Sequence, residues 1–547
     1  MGLTAIFDIG KSGVLSYQKA LEVVSHNIAN AATEGYTRQD VIFQNMPSGV
    51  TSAKGVSGRG VSLADIKRMY DSFLELQLKT ESSRLAYWDV LQKGLVRVEN
   101  IFNDASDVAL NNTINDFFNA WQELSQNPAG TAERNLLLAK GEYLADRINI
   151  SYKSLIDERQ ELYVDSQNLV AEINKYLDQI NELNEKIAAS PGSLDTKDLR
   201  ENLVKKLNDI VQISYFEDIS GRYTILLGGM PLVDGGKVYH LNVELDSNQN
   251  MQFNLETIST TIDVTSLIKG GKLKADMDLR DNLIPEYMNK LNMFVFDLTE
   301  AINAQHRQGY GLDGSTGNNF FNQLYDLTVA GGSPTPDITS LNISSVNSNT
   351  YDQYRIQYDG TDWTVTDNTT GSPVTHTVTS WTEGTDTYYK LSFNNMEITL
   401  KNPSNNLDFT FQIKANTAIY FGVSITDTDK IAAAGENPLT VSGPMDNENA
   451  RAIYGLLDDE IIGSSKPVDY YRTIVSEIGV YSSSTQTQKS FQEALVEEIK
   501  KLRQDASGVS LDEEAVNLIK FQKMYEASAR VIKVADEILS TLFEMAG

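Results

Sequence analysis

The two ends of the chain carry the clearest hydrophobic pattern. Over residues 5–31, apolar side chains recur every seventh position, and a second row follows three positions later. The first row is Phe7, Val14, Leu21 and Ile28, and the second is Tyr17, Val24 and Ala31, with Gly10 as a gap. This spacing predicts an α-helix that pairs through one narrow stripe. Asn30 and Gly35 tolerate left-handed backbone geometry, so we expect the helix to end between them.

Residues 511–543 repeat the pattern. One row is Leu511, Leu518, Tyr525, Ile532 and Leu539, and its companion row is Phe521, Ser528, Ala535 and Leu542. Ser510 and Glu513 have the spacing of a capping box, in which each side chain bonds the other residue's backbone N–H. Two such stripes either pair as a hairpin that closes one domain, or also require a neighbouring subunit to bury their apolar surface. The residues alone leave both interpretations open.

The middle of the chain has a different pattern. Few helix breakers occur between residues 131 and 190, which predicts long helices, whereas residues 330–420 are rich in Thr, Ser, Asn, Asp and Gly. Alternating apolar residues flank turns at Asp359-Gly360 and Asn394-Asn395, a strong signal for β-hairpins. We therefore predict an α+β multidomain fold, in which long terminal helices form an N/C coiled-coil bundle and β-rich modules are inserted in the middle.

The same changes in pattern predict four parts. These are terminal helical assembly segments at 1–35 with 510–547, a helical rod domain at 36–195 with 425–509, a mixed β/α module at 196–329, and a β-rich outer insert at 330–424.

Composition narrows the classes of partner. The 547 residues include 46 Lys and Arg against 74 Asp and Glu, for a net charge of −28, which argues against nucleic acid and anionic membranes as partners. There is no cysteine, which excludes disulfides and thiolate metal sites. The N-terminal segment lacks the basic region and unbroken apolar run of a cleaved signal peptide, and no apolar run is long enough to span a membrane. We expect a chain that is cytoplasmic or exported without a cleaved signal.

No motif indicates catalysis. The tripeptide GKS at 10–12 lacks the preceding glycine of a phosphate-binding loop, and the four histidines have no partners at metal-binding spacing. The segment 313–321 lacks the central glycine and closing glutamate of a calcium loop. We therefore expect no catalytic residue, metal or cofactor. Trp363 and Trp381 could form a platform on which a sugar stacks, but packing in a core is the favoured interpretation.

The stretch NIANAATEGYTRQ at 27–39 resembles the N-terminal signature of the bacterial flagellar axial proteins, the family of rod, hook and hook-associated proteins. The matching residues are Asn27, Ile28, Ala29, Asn30, Thr33, Gly35, Tyr36, Thr37 and Arg38. The segment SGVSLDEEAVNLIKFQKMYEASARVIKVADEILSTL at 507–542 is similar to the C-terminal helix that the family shares. Internal segments such as FFNAWQELSQNPAGTAERNLLL at 117–138 and INAQHRQGYGLDGSTGNNFF at 302–321 indicate the members that join hook to filament.

The resemblance implies an extracellular structural component of the flagellum, not an enzyme, which is exported without a cleaved signal peptide and forms the junction between hook and filament through its terminal helices. The implied partners are the hook protein, the second hook-associated junction protein, copies of the chain itself in a ring, and a cytoplasmic export chaperone on the C-terminal helix. The expected assembly interface comprises Phe7, Val14, Tyr17, Leu21, Val24, Ile28, Leu511, Leu518, Phe521, Tyr525, Ile532, Leu539 and Leu542. The family motif comprises Asn27, Asn30, Thr33, Gly35, Tyr36 and Arg38.

Three alternatives remain at this point. The chain could be another rod or hook axial protein, since these share both terminal motifs. From a different class, it could be a secreted β-rich adhesin or carbohydrate-binding protein with helical anchors, and a hydrolase is a more distant third. Removal of residues 1–35 and 511–547 would separate the classes, because binding or catalysis would survive in the central fragment and assembly would not.

Overall fold

The computed structural model describes residues 3–33, 35–46, 58–102, 110–190, 192–257, 260–346 and 349–546. The chain forms two compact units. Unit 1 comprises Met1–Val90, Asp165–Asp276 and Thr487–Gly547, and unit 2 comprises Leu91–Val164 and Met277–Gln486. These units group the residues differently from the four parts anticipated from sequence pattern, and that finer division stays a prediction.

Helices account for both ends and much of the interior. The helices are α1 (Leu3–Asn30), α2 (Ser72–Ile101), α3 (Leu110–Gln126), α4 (Thr131–Ala189), α5 (Leu194–Ile210), α6 (Lys272–Met277), α7 (Ile284–Gln308), α8 (Thr417–Tyr420), α9 (Glu448–Gly455), α10 (Pro467–Ser507) and α11 (Leu511–Ala546). A π-helical turn over Asp278–Leu283 leads into α7. The expected end of α1 is confirmed, because the helix ends at Asn30 and Gly35 has a φ of +81°.

The described residues of unit 1 form three small antiparallel sheets beside its helices. They are formed by β1 (Gln39–Asn45) and β2 (Val61–Arg68), by β3 (Ser214–Glu217), β4 (Tyr223–Leu227), β5 (Met230–Asp234) and β6 (Lys237–Val238), and by β7 (Leu241–Leu245), β8 (Met251–Glu256) and β9 (Thr261–Asp263). The β1–β2 pair lies against α1, where the Ser16 hydroxyl donates to the carbonyl of Val61 at 3.1 Å.

Unit 2 contains a β-sandwich. Its strands are β10 (Tyr325–Val329), β11 (Ile338–Ile343), β12 (Tyr354–Tyr358), β13 (Trp363–Asp367), β14 (Ser372–Pro373), β15 (Thr377–Glu383), β16 (Asp386–Phe393), β17 (Met396–Lys401) and β18 (Leu407–Ile413). One sheet has the order β10-β18-β12-β13-β14 and the other β11-β17-β16-β15. Inward residues of the two sheets meet in the core, where the rings of Tyr354 and Phe393 lie 5.1 Å apart.

Both hairpins anticipated from turn residues are confirmed. The β12–β13 pair closes at Tyr358 and Trp363 around Asp359-Gly360, and the β16–β17 pair closes at Phe393 and Met396. Asn394 and Asn395 both have positive φ angles, 43° and 60°, which is the geometry of the tight turn that joins two twisted strands. The α+β fold with long terminal helices and β-sheets in the middle is therefore the one predicted.

Candidate assembly site at the terminal helices

The two terminal helices pack along each other through small residues. Gly10 and Gly13 of α1 are buried against α11. A Cβ atom added at Gly10 would lie 2.6 Å from Cγ1 of Ile532, and one added at Gly13 would lie 2.4 Å from Oγ of Ser528. Sequence pattern treated Gly10 as a gap in the stripe. In the structure its missing side chain is what allows the helices to approach closely.

An apolar cluster fills the middle of the seam. Ala20, Val24 and Phe521 form its buried centre, and Tyr17, Leu21, Leu518 and Met524 pack around them, with Val41 and Phe43 of β1. The ring of Phe521 lies 6.5 Å from that of Tyr17 and 5.9 Å from that of Phe43. The structure thus brings five of the sequence-predicted interface residues into one cluster within a single chain. The hairpin interpretation of the two stripes holds for this face.

The other sequence-predicted residues do not all join the seam. Val14, Ile532 and Leu539 are partly buried, whereas Phe7, Ile28, Leu511, Tyr525 and Leu542 are exposed. We call the face of α11 that meets α1 the inner stripe; it consists of Leu518, Phe521, Ser528, Ile532 and Ala535.

A second apolar face on α11 was missed apart from Leu542, which the sequence pattern had assigned to the companion row. Val531, Val534, Ile538, Leu542 and Met545 follow one another at steps of three or four residues, and all are exposed in the single chain. We call these five residues the outer stripe. At about 100° per residue, the outer stripe lies about 100° around the helix from the inner stripe. These residues recur at steps of three and four in the sequence, but the interface was predicted from rows at strict seven-residue intervals, which do not follow this face.

The family motif builds a buried polar network at the end of α1. Asn27 is 1% exposed, and its side-chain amide donates to the carbonyl of Gln39 at 2.9 Å and to Glu514 Oε2 at 3.1 Å. Its Oδ1 accepts from the Tyr36 hydroxyl at 2.7 Å and from the backbone N–H of Gln39 at 3.0 Å. The four bonds tie the last turn of α1 to β1 and to the first turn of α11.

Arg38 extends this network to the start of α11. Its guanidinium bonds Glu513 at 2.7 Å and Glu514 at 2.9 Å, and its backbone N–H donates to Ser507 at the end of α10. The capping box predicted for α11 is only half formed. The Ser510 hydroxyl accepts from the Glu513 N–H, at 3.4 Å, but the Glu513 carboxylate pairs with Arg38. The charge of Arg38 explains the diversion, because an ion-paired hydrogen bond is stronger than a bond to a neutral amide.

Two carboxylates of α5 complete the network. Asp198 accepts from the backbone N–H of Thr37 at 3.1 Å and pairs with Arg68 at 2.7 Å, and Asp195 accepts from the side-chain amide of Gln39 at 2.9 Å. Burial raises the pKa of Asp198, and the bonds from Arg68 and Thr37 oppose that shift. No sequence signal marked Asp198, because it lies 161 positions from the motif residue that it contacts.

Other motif residues shape the turn between α1 and β1. Asn30 donates to the carbonyl of His26 and accepts from the hydroxyl of Thr33. Gly35 adopts a left-handed conformation that other residues rarely tolerate. Burial, with Asp195 as the next cause, raises the pKa of Tyr36, so its hydroxyl stays protonated and donates to Asn27. The motif therefore has a structural role, because it ties the end of α1 to β1, α5 and α11. We call this polar network, which comprises Asn27, Tyr36, Arg38, Asp198 and Glu514, the latch.

Replacement of Gly10 by alanine is expected to lower the free energy of opening of α1 by about 1–3 kcal/mol, because the added methyl group meets Ile532 and backbone atoms of α11. Native-state hydrogen exchange of the α1 amides measures this. Gly479→Ala is the matched control, since Gly479 lies inside α10 with no atom within 4 Å of the added Cβ. Helix propensity predicts that Gly479→Ala raises the free energy of opening of α10 by up to about 1 kcal/mol. If Gly10→Ala likewise raised the free energy of opening of α1, close packing at Gly10 would be contradicted.

The described residues contain no group of His, Asp or Glu side chains arranged to hold a metal ion. Among the same residues, no helix has the length and apolar character needed to cross a membrane.

Comparisons with known proteins find matches to both ends of the chain. The family model for flagella basal body rod protein matches residues 7–37, and that for the C-terminal region of flagellar basal body rod FlgEFG proteins matches residues 504–545. These segments contain most of α1, part of the latch and nearly all of α11. Both ends of the chain are therefore similar to those of flagellar axial proteins.

The middle of the chain matches a more specific group of flagellar proteins. The family model for the helical domain of flagellar hook-associated protein FlgK matches residues 95–321. Flagellar hook-associated protein 1 of Salmonella typhimurium is 29% identical over 99% of this chain and 100% of its own length, and that of Bacillus subtilis is 24% identical over 99% and 98%. Over nearly its full length the chain is therefore similar to flagellar hook-associated protein 1.

A solved structure shows the same fold. The flagellar hook junction protein FlgK from Burkholderia pseudomallei superposes with a TM-score of 0.59, at 18% identity, over 79% of this chain and all of that chain.

Proposed function

We propose that this chain is an extracellular structural subunit of the bacterial flagellum that joins the hook to the filament, and that it catalyses no reaction. Relatives over the full length are named hook-associated protein 1, and the structural neighbour is a hook junction protein. The observation that carries the proposal is the outer stripe of α11, which is left exposed although α11 has already packed its inner stripe against α1.

We expect the exposed outer stripe to pack against a partner. Burial of one large apolar side chain stabilises by roughly 1.5–3 kcal/mol, so the five apolar side chains of the outer stripe represent a large unrealised gain. Contiguous apolar faces of this kind mark interaction sites. A second copy of the chain, or the equivalent helix of another axial protein, offers a matching surface. We therefore assign the outer stripe to contacts between subunits and the inner stripe to the fold of each subunit.

This assignment revises the interface expected from the sequence. Tyr17, Val24 and Phe521 contribute indirectly, because they hold α11 against α1 and so orient the outer stripe. Other members of the expected set are exposed in the single chain and remain proposed contacts between subunits. They are Phe7, Ile28, Leu511, Tyr525 and Leu542.

The proposed partners follow from this position. They are the hook protein on one side, the second hook-associated junction protein on the other, and copies of the chain in a ring. We also propose export without a cleaved signal peptide, with a cytoplasmic chaperone on α11. Phe521 and Ile532 contact α1 in the folded chain, so the chaperone would cover them before α1 and α11 pair.

Deletion of the gene tests the proposed function. The strain is expected to assemble hooks without filaments and to release filament protein into the medium, because nothing joins the two structures. Electron microscopy of the cells and immunoblots of the medium measure this, and expression of the intact chain should restore filaments. Filaments attached normally in the deletion strain would refute the junction role.

A further inference from the structure

The β-sandwich of unit 2 carries an exposed aromatic pair on its outer face. Trp381 lies on the edge strand β15, directly opposite Tyr388 on β16. The two rings stack nearly parallel, at 10°, with centroids 5.4 Å apart. The Trp381 side chain is nevertheless 43% exposed, and every residue of β15 is exposed.

Trp363 shows what a core tryptophan looks like in the same sandwich. It is 8% exposed and stacks on Tyr358 with centroids 4.4 Å apart. Core packing, the favoured interpretation of both tryptophans from sequence, is therefore correct for Trp363 and wrong for Trp381. The reason is the register of β15, which places Trp381 on the face turned away from the core.

The aromatic pair lines an open groove of about 770 Å³ within unit 2. Arg307 near the end of α7 and Asp337 before β11 also line it, and so does Glu383 at the end of β15. Two lysines contribute from the sheet, and each is oriented by an ion pair, Lys390 with Glu397 at 2.5 Å and Lys401 with Asp386 at 2.8 Å.

Several of these polar groups are held in place. Arg307 donates to Asn319 at 2.8 Å, which leaves the rest of its guanidinium as a fixed set of donors. The groove thus combines a flat apolar surface with donors and acceptors of both charges. Apart from the aromatic pair and Ile338, its lining is largely polar.

We propose that this groove binds a saccharide, with one sugar ring stacked on Trp381 and its hydroxyls bonded by Arg307, Asp337 and Glu383. A sugar ring presents an apolar C–H face and a rim of hydroxyls, each able to donate and accept. That combination fits an aromatic platform ringed by charged groups of both signs. A hydrophobic peptide would need a broader apolar wall, and the charge of −28 disfavours a nucleic acid. This activity is separate from the junction role.

Affinity electrophoresis of the full-length chain tests the proposal, in native gels that contain dextran, glycol chitin or polygalacturonate. At least one matrix is expected to retard the intact chain. Trp381→Ala is expected to weaken that retardation about tenfold, because the stacking surface is lost. Tyr420→Ala is the matched control, since Tyr420 is an exposed aromatic residue of unit 2 outside the groove.

Circular dichroism shows whether each variant remains folded, and Trp381→Phe, which keeps an aromatic face, is expected to retain part of the retardation. Retardation that survives Trp381→Ala, or its absence with all three matrices, would overturn the proposal. A peptide strand that pairs with the edge of β15 is the competing occupant, and its binding through the backbone would also survive Trp381→Ala. Filament attachment should be normal in a Trp381→Ala strain, which separates this test from that of the junction.

Discussion

Replacement of Val534 by glutamate is expected to abolish attachment of filaments to hooks while the isolated chain stays folded. Val534 lies in the middle of the outer stripe and is 52% exposed in the single chain, so a carboxylate there remains hydrated. Burial of the stripe against a neighbouring subunit would desolvate that charge without a partner, at a cost of several kcal/mol in every contact. Electron microscopy and swimming assays measure the loss.

Further measurements on the Val534→Glu variant distinguish a loss of assembly from a loss of folding or export. Circular dichroism and hydrogen exchange of the purified variant should match the unmodified chain, and immunoblots of the medium should show that it is exported. Ser540→Glu is the matched control, because Ser540 is an exposed residue of α11 that lies on the side opposite the outer stripe and outside the inner stripe. We expect this control to support swimming. Ile538→Glu should reproduce the loss, and normal filaments in both outer-stripe variants would exclude the outer stripe as the contact.

Replacement of Asn27 by alanine is expected to lower the free energy of opening of the terminal helix pair by about 3–5 kcal/mol. The change removes four hydrogen bonds and leaves the Tyr36 hydroxyl, the Gln39 backbone groups and Glu514 without the partner they share. Each buried polar group left unsatisfied costs about 1–3 kcal/mol. Native-state hydrogen exchange, resolved over α1, β1 and the first turns of α11, measures the effect.

Asn30→Ala is the control from the same motif. The Asn30 side chain bonds the carbonyl of His26 and the hydroxyl of Thr33, both within three or four residues. Water can replace these bonds, so we expect a loss below about 1 kcal/mol. Equal effects of the two substitutions would show that Asn27 does not hold the latch together.

Local rules predicted much of the fold correctly. The seven-residue spacing along α1 and α11 indicated two helices with matching stripes, and the structure pairs them. Turn residues located both hairpins of the β-sandwich, because positive φ angles at Asn394 and Asn395 are a property of those residues and their neighbours. The helices and the turns were predicted correctly because each depends on contacts within a few positions along the chain.

The site was predicted only in part. Sequence pattern identified Asn27, Tyr36 and Arg38 through their resemblance to a family, but it gave no account of what they bond. Asp198 of α5 and Glu514 of α11 supply part of that account, and no local rule connects positions so distant along the chain. Similarly, Glu513 matched a capping box, yet a nearby guanidinium competes for its carboxylate.

The sequence by itself determined the two terminal helices and the long helix between residues 131 and 190, where the hairpins turn and which family the terminal motifs resemble. Only the tertiary structure decided which stripe of α11 is used within the chain and which stays exposed, and that Trp363 is buried while Trp381 is not. The physical reason is that periodicity specifies the face on which a side chain lies, whereas burial depends on what packs against that face. In α11 the inner stripe packs against α1 and, we propose, the outer stripe packs against a neighbouring subunit.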